Sequence, residues 1–397
     1  MPCPYFFPMF VIFLLLFAGL LLTASLYYLF TLYAAWRLFQ KVPLHADSLP
    51  PVSIFKPLKD APGDLYANLA SFCRLDYPSF QLLCGIRDPH DPAIAVVQRL
   101  QQDFPGRDIT LVVNAEVIGS NYKVSTLHHL CQRARHDIFV ISDSDVRVEP
   151  DYLRAVIPPL LTPEVGLVTC LYRGGTDAPL PALLESVLIN TVFASLVLVA
   201  TQVEKTSYAF GATIAVKRRC VEHIGGFAAL NDYLADDYYL GHLVAQTGPE
   251  ARILPYVVET HPGVRTFADL FHHQLRWART QRICRPSGYF GTLVTYGTVW
   301  ALLALAVFWS SPAICTLALV TLGLRLCSTA LVSGVYLKAP LTLRALWLVP
   351  FTDVLSFLVW CASLRGSTVR WSEYTFRVQR DGKMSRVSSP DPEGSGY

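Results

Sequence analysis

The chain has 397 residues, 52% of them apolar and 16% charged, with 33 Lys and Arg against 30 Asp and Glu for a net charge of +3. That balance excludes a disordered chain, which needs low hydrophobicity and high net charge, and a nucleic-acid binder held by overall charge. A mean hydropathy of +0.37 is too high for a wholly soluble chain of this length, so part of it belongs in lipid.

Met9 to Phe39 carries a single charge, Arg37. Its apolar run meets the roughly 20 residues a membrane helix needs. The preceding MPCPYFFP has no basic residue, and the run is longer than a signal peptide's core, so residues 9–36 are read as a retained transmembrane anchor. Arg37, Lys41, Lys56 and Lys59 follow it, and the positive-inside rule then puts the next segment in the cytosol.

Residues 50–285 have ordinary polarity and read as one cytosolic domain. The pattern predicts strands over 52–55, 80–86, 109–113 and 137–142, the first stopped by Lys56-Pro57. Helical spacing falls between them, over 64–73, 93–104 and 123–134. Strands alternating with helices predict an α/β fold with a largely parallel sheet, in which ligands bind at the carboxyl ends of the strands. Asp88 follows the second strand and Asp143 the fourth, so two carboxylates are expected at that edge.

Residues 186–203 lack any charge. Crossing the bilayer there would split the domain between compartments, so an interfacial or buried helix is expected. Residues 289–364 form a second apolar zone. Stretches 289–309 and 312–337 are long enough to span, the latter with Arg325 as a costly charge in lipid or a residue facing protein. Pro350, Asp353 and the basic stretch beyond make 346–364 a re-entrant or interfacial helix. The tail 380–397, rich in Ser, Pro and Gly, reads as disordered. Ten scattered cysteines without a CxxC pair read as free thiols in a reducing compartment.

Asp143-Ser144-Asp145 closes an apolar strand. In an extended segment alternate side chains point the same way, so the two carboxylates are placed to hold Mg²⁺ or Mn²⁺; a loop whose acids cap the next helix is the plainer reading. Asp236-Asp237 lies in an apolar and aromatic segment. Helix capping explains one of the two, and a buried carboxylate suits a general base. His273-Gln274-Leu275-Arg276-Trp277 begins a stretch continuing with Arg279, Arg282 and Arg285. Such a helix suits a diphosphate or lipid headgroup, or is a solvated basic face beside the membrane. No dinucleotide, P-loop or serine-hydrolase motif is present.

These pieces in this order resemble the membrane-bound GT-A glycosyltransferases of families 2 and 21, close to the ceramide glucosyltransferases and their hopanoid branch, which places N-acetylglucosamine on bacteriohopanetetrol. The resemblance is carried over residues 50–285 by VISDSDVRVEPDYL, FGATIAVKR, GGFAALNDYLADDYYLG, PYVVET and HHQLRWART. It implies a GT-A nucleotide-sugar-binding fold and an inverting transfer from a UDP-sugar to a membrane lipid alcohol. Lys56 and Asp88 are then expected to hold the uridine and Lys123 the ribose or phosphate. Asp143 and Asp145 are expected to bind the divalent cation, Asp237 to act as base supported by Asp236, and Arg276 and Trp277 to end the family's (Q/R)xxRW motif. His273 stands where that motif has Gln or Arg. YLADDYYLG, PYVVET and LRWART look more like the hopanoid branch than like a sphingolipid enzyme, a resemblance that implies a hopanoid polyol as acceptor and a bacterial inner membrane with the catalytic domain cytosolic. A processive polysaccharide synthase of the same fold would call for more spanning helices.

Overall fold

The computed structural model describes residues 6–41, 48–371 and 374–387. Eight strands form one sheet: β1 (Val52–Leu58), β2 (Phe80–Ile86), β3 (Asp108–Val113), β4 (Ile138–Ile141), β5 (Val146–Arg147), β6 (Val165–Gly174), β7 (Ile214–Lys217) and β8 (Glu250–Thr260). Their order is β3-β2-β1-β4-β7-β6-β8-β5. β1 pairs in parallel with β2 and β4, and β2 with β3. β7 runs antiparallel between β4 and β6, and β8 is parallel to β6. Every residue of β2 and β4 is buried, as continuous apolar strands covered on both faces should be. Helices Leu65–Cys73, Ala93–Asp103 and Tyr152–Leu160 pack on one face, and Tyr122–Arg133 and Asp236–Gln246 on the other.

β1 does not stop at Pro57 but pairs with β2 through Leu58. The Phe55 carbonyl accepts from Ser142 N at 3.1 Å, so residues two apart in β1 face the β4 side. Pro57 faces that side beyond the end of β4, where its missing N–H has no partner to lose.

Helix Leu180–Leu188 continues through a π-turn, Ile189–Phe193, into helix Ala194–Val203. By length and composition this stretch passes as a membrane span, yet 72% of its apolar window is buried inside the protein. The strands on its two sides, β6 and β7, are neighbours in one sheet, with Leu167 opposite Val216.

Three further helices are long and apolar enough to cross a membrane: Val11–Phe39, Pro312–Tyr336 and Leu346–Ser363; Pro286–Thr295 and Gly297–Val307 form a fourth candidate, bent by 43°. The N-terminal helix packs along Gly297–Val307 and Pro312–Leu331, burying Leu21 among Ala301, Ala304 and Ala318. Arg325 and Asp353, each awkward alone, answer one another. Arg325 donates to both Asp353 oxygens at 2.9 and 2.6 Å, and Thr298 Oγ1 adds a third bond at 2.5 Å. The apolar helices are tied to the sheet domain's own elements at two places. At the end of the Pro312–Tyr336 span, Arg173 of β6 donates to the Leu337 and Lys338 carbonyls at 3.1 and 3.0 Å. Just after the Leu346–Ser363 stretch, Arg279 and Arg282 donate to the Arg365 and Gly366 carbonyls, each at 2.8 Å.

The expected disorder from Arg380 is corrected in its first part. β9 (Thr368–Trp371), β10 (Tyr374–Val378) and β11 (Met384–Arg386) form an antiparallel sheet. It is ordered by burying Val369, Phe376, Val378 and Met384 against Leu234. Residues 388–397 of that expectation lie outside the described residues. Nine cysteines, all but Cys3, lie among the described residues, and all are free thiols.

Candidate active site

The carboxyl ends of β1, β2 and β4 open into one cavity of about 1780 Å³. Asp88, Lys123, Asp143, Asp145, Asp236, Asp237, His273, Arg276 and Trp277 all line it. Residues spread over more than 180 positions of the chain thus meet in one place.

Asp143 and Asp145 do not sit on an extended strand. β4 ends at Ile141, and the two acids occupy a turn closed by a bond from Val146 N to Asp143 O at 3.3 Å. They still project into the same cavity. Thr260 Oγ1 of β8 donates to Asp145 at 2.8 Å. Burial and then the nearby Asp143 charge push the Asp145 carboxyl above its ordinary pKa.

Lys123 enters from the first turn of helix Tyr122–Arg133, capped by Asn121, whose side chain accepts from Val124 N at 3.1 Å. Its ammonium lies 2.6 Å from Asp143 and 3.2 Å from Asp236. Burial pulls its pKa down, but Asp143, Asp236 and Asp237 outweigh that and hold it well above the ordinary value. Lys123 therefore stays a cation bridging the two acidic pairs.

Asp236 and Asp237 open helix Asp236–Gln246, where the positive end of the helix dipole favours carboxylates. Asp237 accepts from Gly211 N at 2.9 Å and Tyr238 N at 2.7 Å. Its pKa is nevertheless raised to about 6, first by burial and then by Asp236, against the pull of Lys123. Asp236, only 8% exposed, takes Lys123 and the Asn121 amide, the latter at 3.4 Å.

Lys56 departs from the expected contact with uridine. It is 0% exposed and lies beneath the acidic turn, donating to Asp143 O at 2.5 Å and Ser142 Oγ at 3.3 Å. Burial lowers its pKa to about 7, against the pull of Asp145 and Asp143. It braces the turn rather than lining the cavity. Asp88 does line the cavity and also accepts from His90 N at 2.8 Å.

The basic helix Phe267–Cys284 sorts its cations by position. Arg276 faces the cavity, 5.7 Å from the centre of the Trp371 ring. Arg279 and Arg282 are taken by carbonyls of Arg365–Thr368, and Arg285 pairs with Glu204. The His273 ring lies tilted against Trp277, with ring centres 4.7 Å apart, and its Nδ1 meets Glu185.

Two residues escaped the sequence reading. Gly211 carries the floor between Asp237 and Asp143; a Cβ there would lie 2.5 Å from Asp143 Oδ2. Glu185 is fully buried in the apolar helix 180–203, with one oxygen on His273 and the other without a partner. Only the lone charge in an apolar run signalled it.

The arrangement can hold a cation and a diphosphate. Asp143 and Asp145 crowd two negative charges at one turn, and Lys123 answers only part of that charge. Hard oxygen donors of this kind suit Mg²⁺ or Mn²⁺. From this acidic end the cavity runs on between Leu26, Tyr27 and Phe30 of the N-terminal helix, Leu196 and Val199 of helix Ala194–Val203, and Val294. Its far arm is therefore walled by the apolar helices.

Comparison with known proteins agrees with this geometry. The model of glycosyl transferase family 21 matches residues 16–384. Ceramide glucosyltransferase 1 of Caenorhabditis elegans is 28% identical over 64% of this chain and 54% of its own length, so the chain spans about half of that relative. Ceramide glucosyltransferase 3 of the same organism is 23% identical over 89% of this chain and 78% of its own. The structure of mannosyltransferase PcManGT from Pyrobaculum calidifontis, in complex with GDP-Man and Mn²⁺, is similar in fold. It has a TM-score of 0.54 and 20% identity, covering 88% of this chain and 98% of that one.

Proposed function

The chain belongs to glycosyl transferase family 21, and from that premise we propose that it moves a sugar from a UDP-sugar to a membrane lipid alcohol with inversion. The observation that carries this reading is the single cavity joining the acidic turn and Asp237 to the apolar helices. A water-soluble donor and a lipid acceptor meet only where such a cavity opens on both. The catalytic domain, residues 50–285, is proposed to be cytosolic and anchored by the N-terminal helix and the segments of 289–364. Helix 186–203 and the Leu346–Ser363 stretch are proposed to lie at the bilayer surface or re-enter it.

In this reading Asp237 takes the proton of the acceptor hydroxyl as its oxygen attacks the anomeric carbon. The bond from that carbon to the UDP oxygen breaks, and an α-linked donor gives a β-linked product. A base must be ionised to act, and a pKa near 6 leaves Asp237 both ionised at neutral pH and basic enough to accept a proton. The Gly211 and Tyr238 amides hold it in one orientation. Arg276 faces the charge that grows on the leaving diphosphate, and Lys123 orients the acids around it. Asp143 and Asp145 are the residues that would hold a divalent cation. When bound, it would neutralise diphosphate charge, and PcManGT in complex with Mn²⁺ supports that assignment.

Two readings of the acceptor and sugar rest on different sources. The motifs YLADDYYLG, PYVVET and LRWART favour N-acetylglucosamine to bacteriohopanetetrol, in a bacterial inner membrane. The second reading, glucose to ceramide, is favoured by the relatives named above. The test offers membranes holding the chain UDP-N-acetylglucosamine or UDP-glucose with each lipid, read by mass spectrometry. A hexosamine gain on the hopanoid supports the first reading. A hexose gain on ceramide overturns it in favour of the second.

A further inference from the structure

The segment after the last apolar helix returns to the candidate site and becomes part of its wall. Its three strands have a core of their own, and they are tied down on two sides. On one side Arg279 and Arg282, one and two turns after Arg276, hold the carbonyls of 365–368. On the other, Leu234 N donates to Gly382 O at 3.2 Å, Met384 N to Asp232 O at 2.7 Å and Tyr239 Oη to Asp381 O at 2.8 Å. Those partners flank Asp236 and Asp237. The sheet therefore spans from the helix bearing Arg276 to the start of the helix bearing the paired acids.

Three of its rings, Trp371, Tyr374 and Phe376, line the cavity, and the first two reach it at different points. Trp371 lies 5.7 Å from the Arg276 guanidinium. Tyr374 meets Tyr122 edge to face at 5.4 Å, and the Arg87 guanidinium lies 4.4 Å from the centre of the Tyr122 ring. Arg87 precedes Asp88 at the end of β2, and Tyr122 precedes Lys123. The hairpin's aromatic face thus runs along the polar end of the cavity, from Arg276 to the end of β2. The apolar arm between the membrane helices lies elsewhere.

We propose that the sheet Thr368–Arg386 is a wall of the nucleotide-sugar site. Trp371 is a positioning residue for Arg276, and Tyr374, with Tyr122, closes the end where the base lies. This rests on the UDP-sugar reading above. The chemistry suits that ligand: a nucleobase offers a flat π-face to an aromatic wall, and a diphosphate needs a guanidinium held at a fixed angle. A lipid acceptor entering by the apolar arm touches neither ring, so the sheet sets donor affinity alone.

The test uses the full chain in detergent or nanodiscs, with UDP binding measured by calorimetry and KM measured separately for donor and acceptor. Trp371→Ala and Tyr374→Ala are each expected to raise the UDP Kd and donor KM about fivefold, with acceptor KM unchanged. Trp371→Phe keeps a ring face for Arg276 and is expected to recover most of the loss. Hydrogen exchange over 368–386 in the unaltered chain supplies a readout that needs no variant, and UDP is expected to slow it. Unchanged UDP affinity in variants of parental Tm, or exchange indifferent to UDP, overturns the proposal. Asp143→Ala is run alongside. If it weakens UDP binding and the ring variants do not, only the wall fails. If the unaltered chain binds no UDP, the donor reading fails and takes the wall with it.

Discussion

The amide of Gly211 donates to Asp237 at 2.9 Å, while its α-carbon faces Asp143 closely enough that an added Cβ would lie 2.5 Å from that carboxylate and 3.1 Å from Lys123. One residue without a side chain thus sets the separation of the proposed base from the proposed cation ligands. In Gly211→Ala the added Cβ must displace the Asp143 carboxylate and crowd the Lys123 ammonium while the sheet beneath is untouched. Transfer is expected to fall about 100-fold, since a displacement of about 1 Å at a reacting centre costs that much. Tm is expected to move little. A variant with parental kinetics would show that the spacing is not critical.

The pH profile follows from the raised pKa of Asp237. Burial and Asp236 favour the protonated form, so kcat/KM is expected to rise with pH through about 6. Asp236→Asn removes the like charge and is expected to move that limb to lower pH. The sign for stability is the reverse of a paired carboxylate's. Between the ordinary value of 3.8 and about 6 the folded state holds a proton that the unfolded chain releases, so this group's contribution is lost as pH rises through that window. Rate profiles at fixed ionic strength check the first sign, and Tm against pH for the parent and Asp237→Asn checks the second.

Cation dependence should trace to the acidic turn. Chelation is expected to weaken UDP binding by the unaltered chain, and Asp143→Ala is expected to abolish the difference between chelated and Mn²⁺-supplemented protein. Lys56→Met, which removes the brace under the turn without touching the cavity wall, is expected to weaken UDP binding about tenfold through loss of its hydrogen bonds to Asp143 O and Ser142 Oγ. Calorimetry with and without chelator distinguishes all three proteins.

Among the apolar helices Arg325 and Asp353 carry a prediction about stability alone. Removing either partner leaves a buried charge, at a cost of about 3–5 kcal/mol. Arg325→Met and Asp353→Leu should each lower the Tm sharply in detergent, and the double variant should recover most of the loss. A double variant as unstable as the singles would contradict the pairing.

The same pair shows where sequence reading stops. Arg325 and Asp353 each stand out as costly in an apolar run, but only the packing of two helices 28 positions apart makes them partners. The four parallel strands were legible because each is a short apolar run between helical spacings. Asp88, Asp143 and Asp237 were legible because carboxylates at strand ends or in apolar segments need a reason. Lys56 was misplaced because the resemblance gives its position in a motif but not the depth of its side chain, which the packing of β1 against the acidic turn decides. β11 was misread because the charge and the Gly and Ser content of 380–397 read as disorder, and β9 and β10 were not predicted at all; their burial depends on Leu234 and Tyr122, more than a hundred positions away. Glu185 has no local partner, and its meaning comes only from His273.

Asp237 is proposed above as the base of a lipid glycosyltransferase. The most direct measurement compares the unaltered chain with Asp237→Asn, following product lipid by mass spectrometry and UDP-sugar binding by calorimetry in the same preparations. The account predicts that Asp237→Asn binds the donor within about threefold of the parent and forms no glycosylated lipid, because the amide keeps the size of the side chain but cannot take the proton. Product formation by Asp237→Asn at a rate near the parent's would contradict it.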